Sequence, residues 1–190
     1  MTWKLTEAIK RTGILKQGHF LLSSGRHSKQ YMQCALLLQY PQEAKETGKA
    51  LAGLFDDLSI DTVVGPALGG VIIAHEVAHA LQVRCLFTER KEGEMQLRRG
   101  FEVKPGERIL VIEDVVTTGG SVKEVIRLLE EQGAEIVAVG SIIDRSNGKH
   151  NFSVPYRALT AIEIESYDPS ECPLCRQGTP VVKPGSRTQK

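Results

Sequence analysis

The run ILVIEDVVTTGGSV, residues 109–122, constrains the fold more than any other stretch of the chain. An apolar, strand-like segment delivers an acidic pair, Glu113-Asp114, to its carboxyl end. A turn of hydroxyls and glycines follows, and then Val122, Val125, Ile126 and Leu129 fall at i, i+3, i+4 and i+7, the apolar stripe of an amphipathic helix. A buried strand that feeds a helix through a short polar turn is the building block of a mostly parallel sheet flanked by helices.

The rest of the chain keeps that alternation. Thr6 to Arg11 reads as a short helix ending at Gly13, and His19 to Leu22 and Tyr31 to Leu38 read as extended on either side of the polar turn SSGRHS. Pro41 is a good first helical residue, and Ala44, Leu51, Leu54 and Phe55 share one side of the segment to Leu58. Strands are expected at Asp61 to Gly65, Arg84 to Glu89, Arg108 to Ile112, Glu135 to Ile143 and Tyr156 to Ile164, with a helix from the Gly69-Gly70 pair through Ala80. RKEGEMQLRRG reads as an exposed loop with no core face of its own, about residues 90–100. Residues from Thr179 onward are Pro- and Gly-rich and read as a flexible tail, 179–190. At 190 residues, with no internal repeat, the expectation is a single α/β domain over 1–190.

Thr117, Thr118, Gly119, Gly120 and Ser121 can offer successive backbone N–H groups and hydroxyls to one phosphate, backed by the positive end of the helix dipole. Carboxylates immediately before a phosphate cradle need a reason, since they repel phosphate. A ribose gives one, because its 2′- and 3′-hydroxyls can donate to Glu113 and Asp114 while its 5′-phosphate sits in the loop. A bound Mg²⁺ near Asp114 would ease the same conflict. Neither GxxxxGK[ST] nor GxGxxG occurs here, so this is not a Walker A loop or a dinucleotide turn.

With a net charge of +1, no global field recruits nucleic acid or an anionic membrane, so any anion must be held by local geometry. The N-terminus has no apolar run of signal length and nothing approaches a membrane span, which leaves the cytoplasm as the expectation. Cys34 and Cys85 lie in apolar runs and read as buried, inert thiols. Cys172 and Cys175 form a CPLC pair, which reads first as a structural turn. It is also half of a tetrahedral zinc site, which a second pair from a partner subunit could complete, or a disulfide.

VIEDVVTTGGS resembles the phosphoribosyl-pyrophosphate-binding motif of type I phosphoribosyltransferases. Further segments resemble the orotate phosphoribosyltransferases in particular. GHFLLSSGRHSKQYMQ is similar to their N-terminal hood (about residues 1–40), VGPALGG to their pyrophosphate-side turn, FTERKEGEMQLRRGFEV to their mobile catalytic loop, and IIDRSNG to the strand end that carries an arginine for the orotate carboxylate. ECPLCRQGTP is similar to a tail seen in one bacterial branch. The resemblance runs from about Gly13 to about Pro180 in the family's order.

It implies a type I phosphoribosyltransferase fold and transfer of the phosphoribosyl group from phosphoribosyl pyrophosphate (PRPP) to orotate N1, giving orotidine 5′-monophosphate and pyrophosphate with Mg²⁺ as cofactor. Glu113, Asp114, Val115, Val116, Thr117, Thr118, Gly119, Gly120 and Ser121 would bind PRPP, and Arg90 and Lys91 would reach the pyrophosphate as catalytic cations. Thr117 stands where 6-oxopurine enzymes usually carry an Asp. A hydroxyl there avoids repelling the orotate carboxylate, which Arg145 can hold with its planar fork. The family's loop crosses a two-fold interface, so the resemblance implies a homodimer with shared active sites. Ser23 and Gly69 occupy positions where many members carry lysines. Rival readings are transfer to a purine or uracil, a PRPP-sensing regulator on the same fold, and a binding protein that no longer turns over.

Overall fold

The computed structural model describes residues 3–22 and 24–184, so Ser23 and residues 185–190 of the tail lie outside the described residues. Helix α1 (Leu5–Thr12) leads into a hairpin of β1 (Leu15–Leu21) and β2 (His27–Met32), then α2 (Ala35–Leu38) and α3 (Pro41–Ala52). The α/β body continues with β3 (Thr62–Pro66), α4 (Gly69–Leu81), β4 (Arg84–Lys91), β5 (Glu94–Leu97), β6 (Arg108–Val116), α5 (Gly120–Glu130), β7 (Glu135–Asp144) and β8 (Tyr156–Ala161), and ends near α6 (Pro173–Arg176).

The six-stranded sheet has the order β5-β4-β3-β6-β7-β8. Every neighbouring pair is parallel except β4 and β5, and the β1-β2 hairpin stands apart as an antiparallel hood. Parallel strands need both faces covered, and the sequence of β6 shows how. Leu110 and Ile112 point into a core shared with Leu51 of α3 and Ile73 and Val77 of α4. Ile109 and Val111 point the other way, onto Val125 and Leu129 of α5. Truncating a fully buried residue such as Leu129 to alanine would cost about 2–5 kcal/mol. Helix α3 starts with Pro41 after the extended Tyr40 and buries Ala44, Thr47, Gly48, Leu51 and Ala52, a helical spacing that fits its place on the sheet.

Two expectations from the sequence are corrected. The extended segment from Tyr31 stops at Met32, and Ala35–Leu38 is helical. CALLL has no period-two alternation, and Cys34, Leu37 and Leu38 are buried together by a helical turn. The segment read as a loop without a core face is a hairpin: β4 runs on to Lys91 and pairs with β5 in the register Lys91↔Glu94, Arg90↔Met95, Glu89↔Gln96 and Thr88↔Leu97. Its two-residue turn places both Glu92 (φ 54) and Gly93 (φ 91) in the left-handed region, the hairpin geometry that matches strand twist. Met95 and Leu97 pack against the α5-side core, which gives this hairpin the buried face the loop reading denied it.

Among the described residues, no helix is long and apolar enough to cross a membrane.

Candidate active site

The carboxyl ends of β6 and β7, the loop between β6 and α5, and the inner side of the hood enclose a cavity of about 740 Å³. Its wall takes in Glu113, Asp114, Val115, Val116, Thr117, Thr118, Gly119, Gly120 and Ser121 as one continuous run, together with Arg145. The strands place these groups directly. Strand β6 pairs with β7 through Val116↔Asp144, and the backbone N–H of Arg145 donates to the Val116 carbonyl at 2.8 Å, so the arginine is fixed to the root of the loop. Gly119 starts the turn into α5 with φ 73, and a side chain there would also strike the Phe152 ring at 2.6 Å. Only glycine meets both demands at low cost.

The acidic pair differs from ordinary surface carboxylates. The backbone N–H of Val115 donates to Asp114 Oδ1 at 2.8 Å, and that of Asp114 donates to Glu113 Oε1 at 3.0 Å. Burial raises the Asp114 carboxyl above its usual range despite hydrogen bonds from Glu113 and from the backbone that favour the charged form. A half-buried carboxylate held in this way is a ready ligand for hydroxyls or for a hard cation. Tyr31 of β2 faces the same pair; burial, then the charge on Asp114, raises its hydroxyl, while Arg145 opposes them.

Arg145 is half-buried, and burial lowers the pKa of its guanidinium. Its Nε is buried without a hydrogen-bond partner among the described residues. A partly desolvated guanidinium in the wall of a cavity is suited to an incoming anion, above all a planar carboxylate.

Gly69 and Gly70 at the start of α4 lie against the acidic pair. A Cβ on Gly69 would lie 2.7 Å from both Asp114 carboxylate oxygens, and one on Gly70 would lie 2.9 Å from the Ile112 carbonyl oxygen. The missing side chain at Gly69 therefore has a reason in the packing: the Asp114 carboxylate occupies that space. The position of Ser23 lies outside the described residues.

The phosphate-loop residues, the acidic pair and Arg145 thus converge on one cavity. Arg90 and Lys91 do not line it. They sit on the β4-β5 hairpin, where Arg90 pairs with Glu124 of α5 at 2.6 Å and donates to the Gly93 carbonyl at 2.7 Å. Sequence reasoning missed Tyr31, Lys149 and Lys183, all of which line the cavity. Lys149 follows the SNG turn after β7, and only its closeness to Arg145 in sequence could have pointed to it. Lys183 lies in the Pro/Gly-rich tail, where composition carries no sign of a site.

The phosphoribosyl transferase domain family matches residues 35–168. The orotate phosphoribosyltransferase of Thermotoga maritima is 56% identical over 186 residues, covering 98% of this chain and 100% of that protein. The chain belongs to the orotate phosphoribosyltransferase family. The crystal structure of the family member from Aeropyrum pernix superimposes with a TM-score of 0.74 at 25% identity, over 84% of this chain and 94% of that one. The fold is also shared with the Mycobacterium tuberculosis H37Rv orotate phosphoribosyltransferase solved in complex with PRPP, at a TM-score of 0.60 and 22% identity over 70% of this chain and 81% of that one.

Proposed function

We propose that this chain transfers the phosphoribosyl group of PRPP to N1 of orotate, giving orotidine 5′-monophosphate and pyrophosphate in pyrimidine biosynthesis. The observation that carries the reading is the half-buried Arg145, its Nε unpartnered, lining one cavity together with a hydroxyl- and glycine-rich loop.

The 5′-phosphate docks on the N–H groups and hydroxyls of Thr117 to Ser121, at the positive end of α5. The ribose 2′- and 3′-hydroxyls donate to Glu113 and Asp114, and binding there relieves the cost of a buried carboxylate. Orotate lies under the hood, its carboxylate on Arg145 and a ring oxygen near the Thr117 hydroxyl. The site fits Mg²⁺ at the Glu113-Asp114 edge, where oxygen donors alone are offered. When bound, the ion supplies neutralisation of the pyrophosphate charge.

The chain's own residues supply position and field, and no protein nucleophile is needed. The bond from C1′ to pyrophosphate stretches first, leaving an oxocarbenium-like ribose held against the acidic pair, and orotate N1 then closes on C1′ as its proton passes to the departing pyrophosphate or to solvent. Lys149 and Lys183 add positive charge at the cavity wall. Arg90 and Lys91, on a hairpin that lies away from their own cavity, act on the pyrophosphate of a second subunit in a homodimer with shared sites. The cytoplasm is the compartment that fits a chain with this chemistry.

Product analysis tests the reading directly. Incubation with orotate, PRPP and Mg²⁺ should yield orotidine 5′-monophosphate and pyrophosphate in equal amounts. Hydrolysis of PRPP with orotate untouched would contradict it.

A further inference from the structure

Away from the cavity, the hood and the CPLC pair meet in a cluster that the transfer reaction does not use. His19 of β1, His27 of β2, Cys172 and Cys175 bring one nitrogen or sulfur each to within 4.8 Å of one another. The nearest approaches are 2.9 Å between His19 Nε2 and His27 Nδ1, 3.3 Å between Cys175 Sγ and His27 Nδ1, and 3.5 and 3.8 Å from His19 Nε2 to Cys172 Sγ and Cys175 Sγ. A tetrahedral zinc with bonds of about 2.0–2.3 Å has edges between donor atoms of about 3.3–3.8 Å. Three of the four separations fall in that range and the fourth is slightly short. Both cysteines are free thiols.

The orientation of His19 is already that of a metal ligand. Its Nδ1 lies 2.7 Å from the Thr179 carbonyl oxygen. A carbonyl only accepts, so Nδ1 carries the proton and Nε2 is the nitrogen left to coordinate. Fixing a ligand histidine through its other nitrogen is the usual outer-shell arrangement of zinc sites. Three further hydrogen-bonding atoms crowd that nitrogen, while His19, His27 and Cys172 are all buried. One divalent cation satisfies all four atoms together, whereas a hydrogen-bond arrangement satisfies at most part of the set.

The geometry points to a structural zinc site made by His19, His27, Cys172 and Cys175 of one chain, which clamps the C-terminal segment onto the hood. The second ligand pair, which the sequence reading sought in a partner subunit, is a pair of histidines about 150 residues upstream in the same chain. Two soft sulfurs and two imidazoles select zinc, and four protein ligands leave no open position for catalysis.

The clamp has a consequence for the cavity. Beyond Cys175 the chain turns back, with the Thr179 N–H donating to the Leu174 carbonyl, and then runs beside β1. Val182 donates to the His19 carbonyl at 2.8 Å and accepts from the Leu21 N–H at 2.9 Å. The next two residues, Lys183 and Pro184, form part of the cavity wall. The metal therefore holds in place the segment that carries Lys183, whichever base the enzyme uses.

Metal analysis of the full-length protein, purified without chelator, tests this. About one zinc per chain is expected, retained in Cys85→Ser and lost in Cys175→Ser, whose target is an exposed ligand that the core does not need. His27→Gln guards against a refolding artefact at the CPLC turn and should lose the metal as well. Protein stripped and reloaded with Co²⁺ should show tetrahedral ligand-field bands with thiolate-to-cobalt charge transfer. Stripping should speed tryptic cleavage after Arg176 by roughly tenfold, because the segment is then released more often. Zinc content unchanged in Cys175→Ser, a Cys172–Cys175 disulfide in the isolated protein, or reduced protein that takes up neither zinc nor cobalt would each overturn the assignment.

Discussion

Gly69 and Asp114 share one space: a methyl group on Gly69 would stand 2.7 Å from each carboxylate oxygen of Asp114. The glycine at the head of α4 thereby sets the position of an acid near the end of β6. Gly69→Ala should push the carboxylate off its place. We predict that kcat/KM for PRPP falls by about 10- to 100-fold with little change in unfolding temperature, since only a side chain has to move. Gly70→Ala meets the Ile112 backbone carbonyl instead. It should lower stability by about 1–3 kcal/mol, measured by denaturant unfolding. Unaltered PRPP kinetics in Gly69→Ala would show that Asp114 needs no such room.

The same carboxylate makes the ligand-free protein sensitive to pH. Burial raises the Asp114 pKa in the fold, so folding disfavours the anion relative to the neutral acid. For a raised carboxyl, this contribution is complete below the unfolded value of about 3.9 and is lost as pH rises through the folded value. Asp114→Asn removes the titration while keeping an oxygen that can accept from Val115. The variant should melt at a higher temperature than the parent at neutral pH, with the gap closing on acidification, while PRPP affinity drops. A lower melting temperature at neutral pH would mean that hydrogen bonds, not burial, dominate at this acid.

The strand-turn-helix of residues 109–122 was legible because three independent signals agree there: an apolar run, a glycine turn and a helical stripe. Arg145 was legible from its place after a strand and from the family resemblance. The β4-β5 hairpin was not. Its turn uses Glu92 at a positive φ rather than the Asn-Gly pair that marks such turns, so nothing in the sequence advertised it. The histidine-cysteine cluster escaped for a different reason. Its two halves lie at opposite ends of the chain, and only the fold brings His19 and His27 to the CPLC pair. Tyr31, Lys149 and Lys183 belong to the same class, ordinary residues brought to the cavity wall by tertiary placement.

Arg90 and Lys91 allow a test of shared sites. In one chain Arg90 is tied to Glu124 and neither residue lines the cavity, whereas Arg145 does. If the hairpin completes a second subunit's site, Lys91→Ala and Arg145→Ala inactivate different halves of one composite site. Mixing the two inactive variants under subunit exchange should restore about a quarter of parental activity, because each heterodimer carries one intact site. Mixtures as inactive as their parts would place the hairpin cations at their own cavity, and an active Lys91→Ala would place Lys91 outside the reaction.

Turnover measured by orotate absorbance, with hypoxanthine, xanthine and uracil run beside it, tests the substrate assignment most directly. Orotate alone should be consumed in the presence of PRPP and Mg²⁺. Arg145→Ala should lower kcat/KM for orotate by about 10²- to 10³-fold, from loss of a buried charge-assisted pair, and Arg145→Lys should restore little of it. Equal turnover of orotate by the parent and Arg145→Ala, or turnover of another base in place of orotate, would contradict the role given to this arginine and the substrate with it.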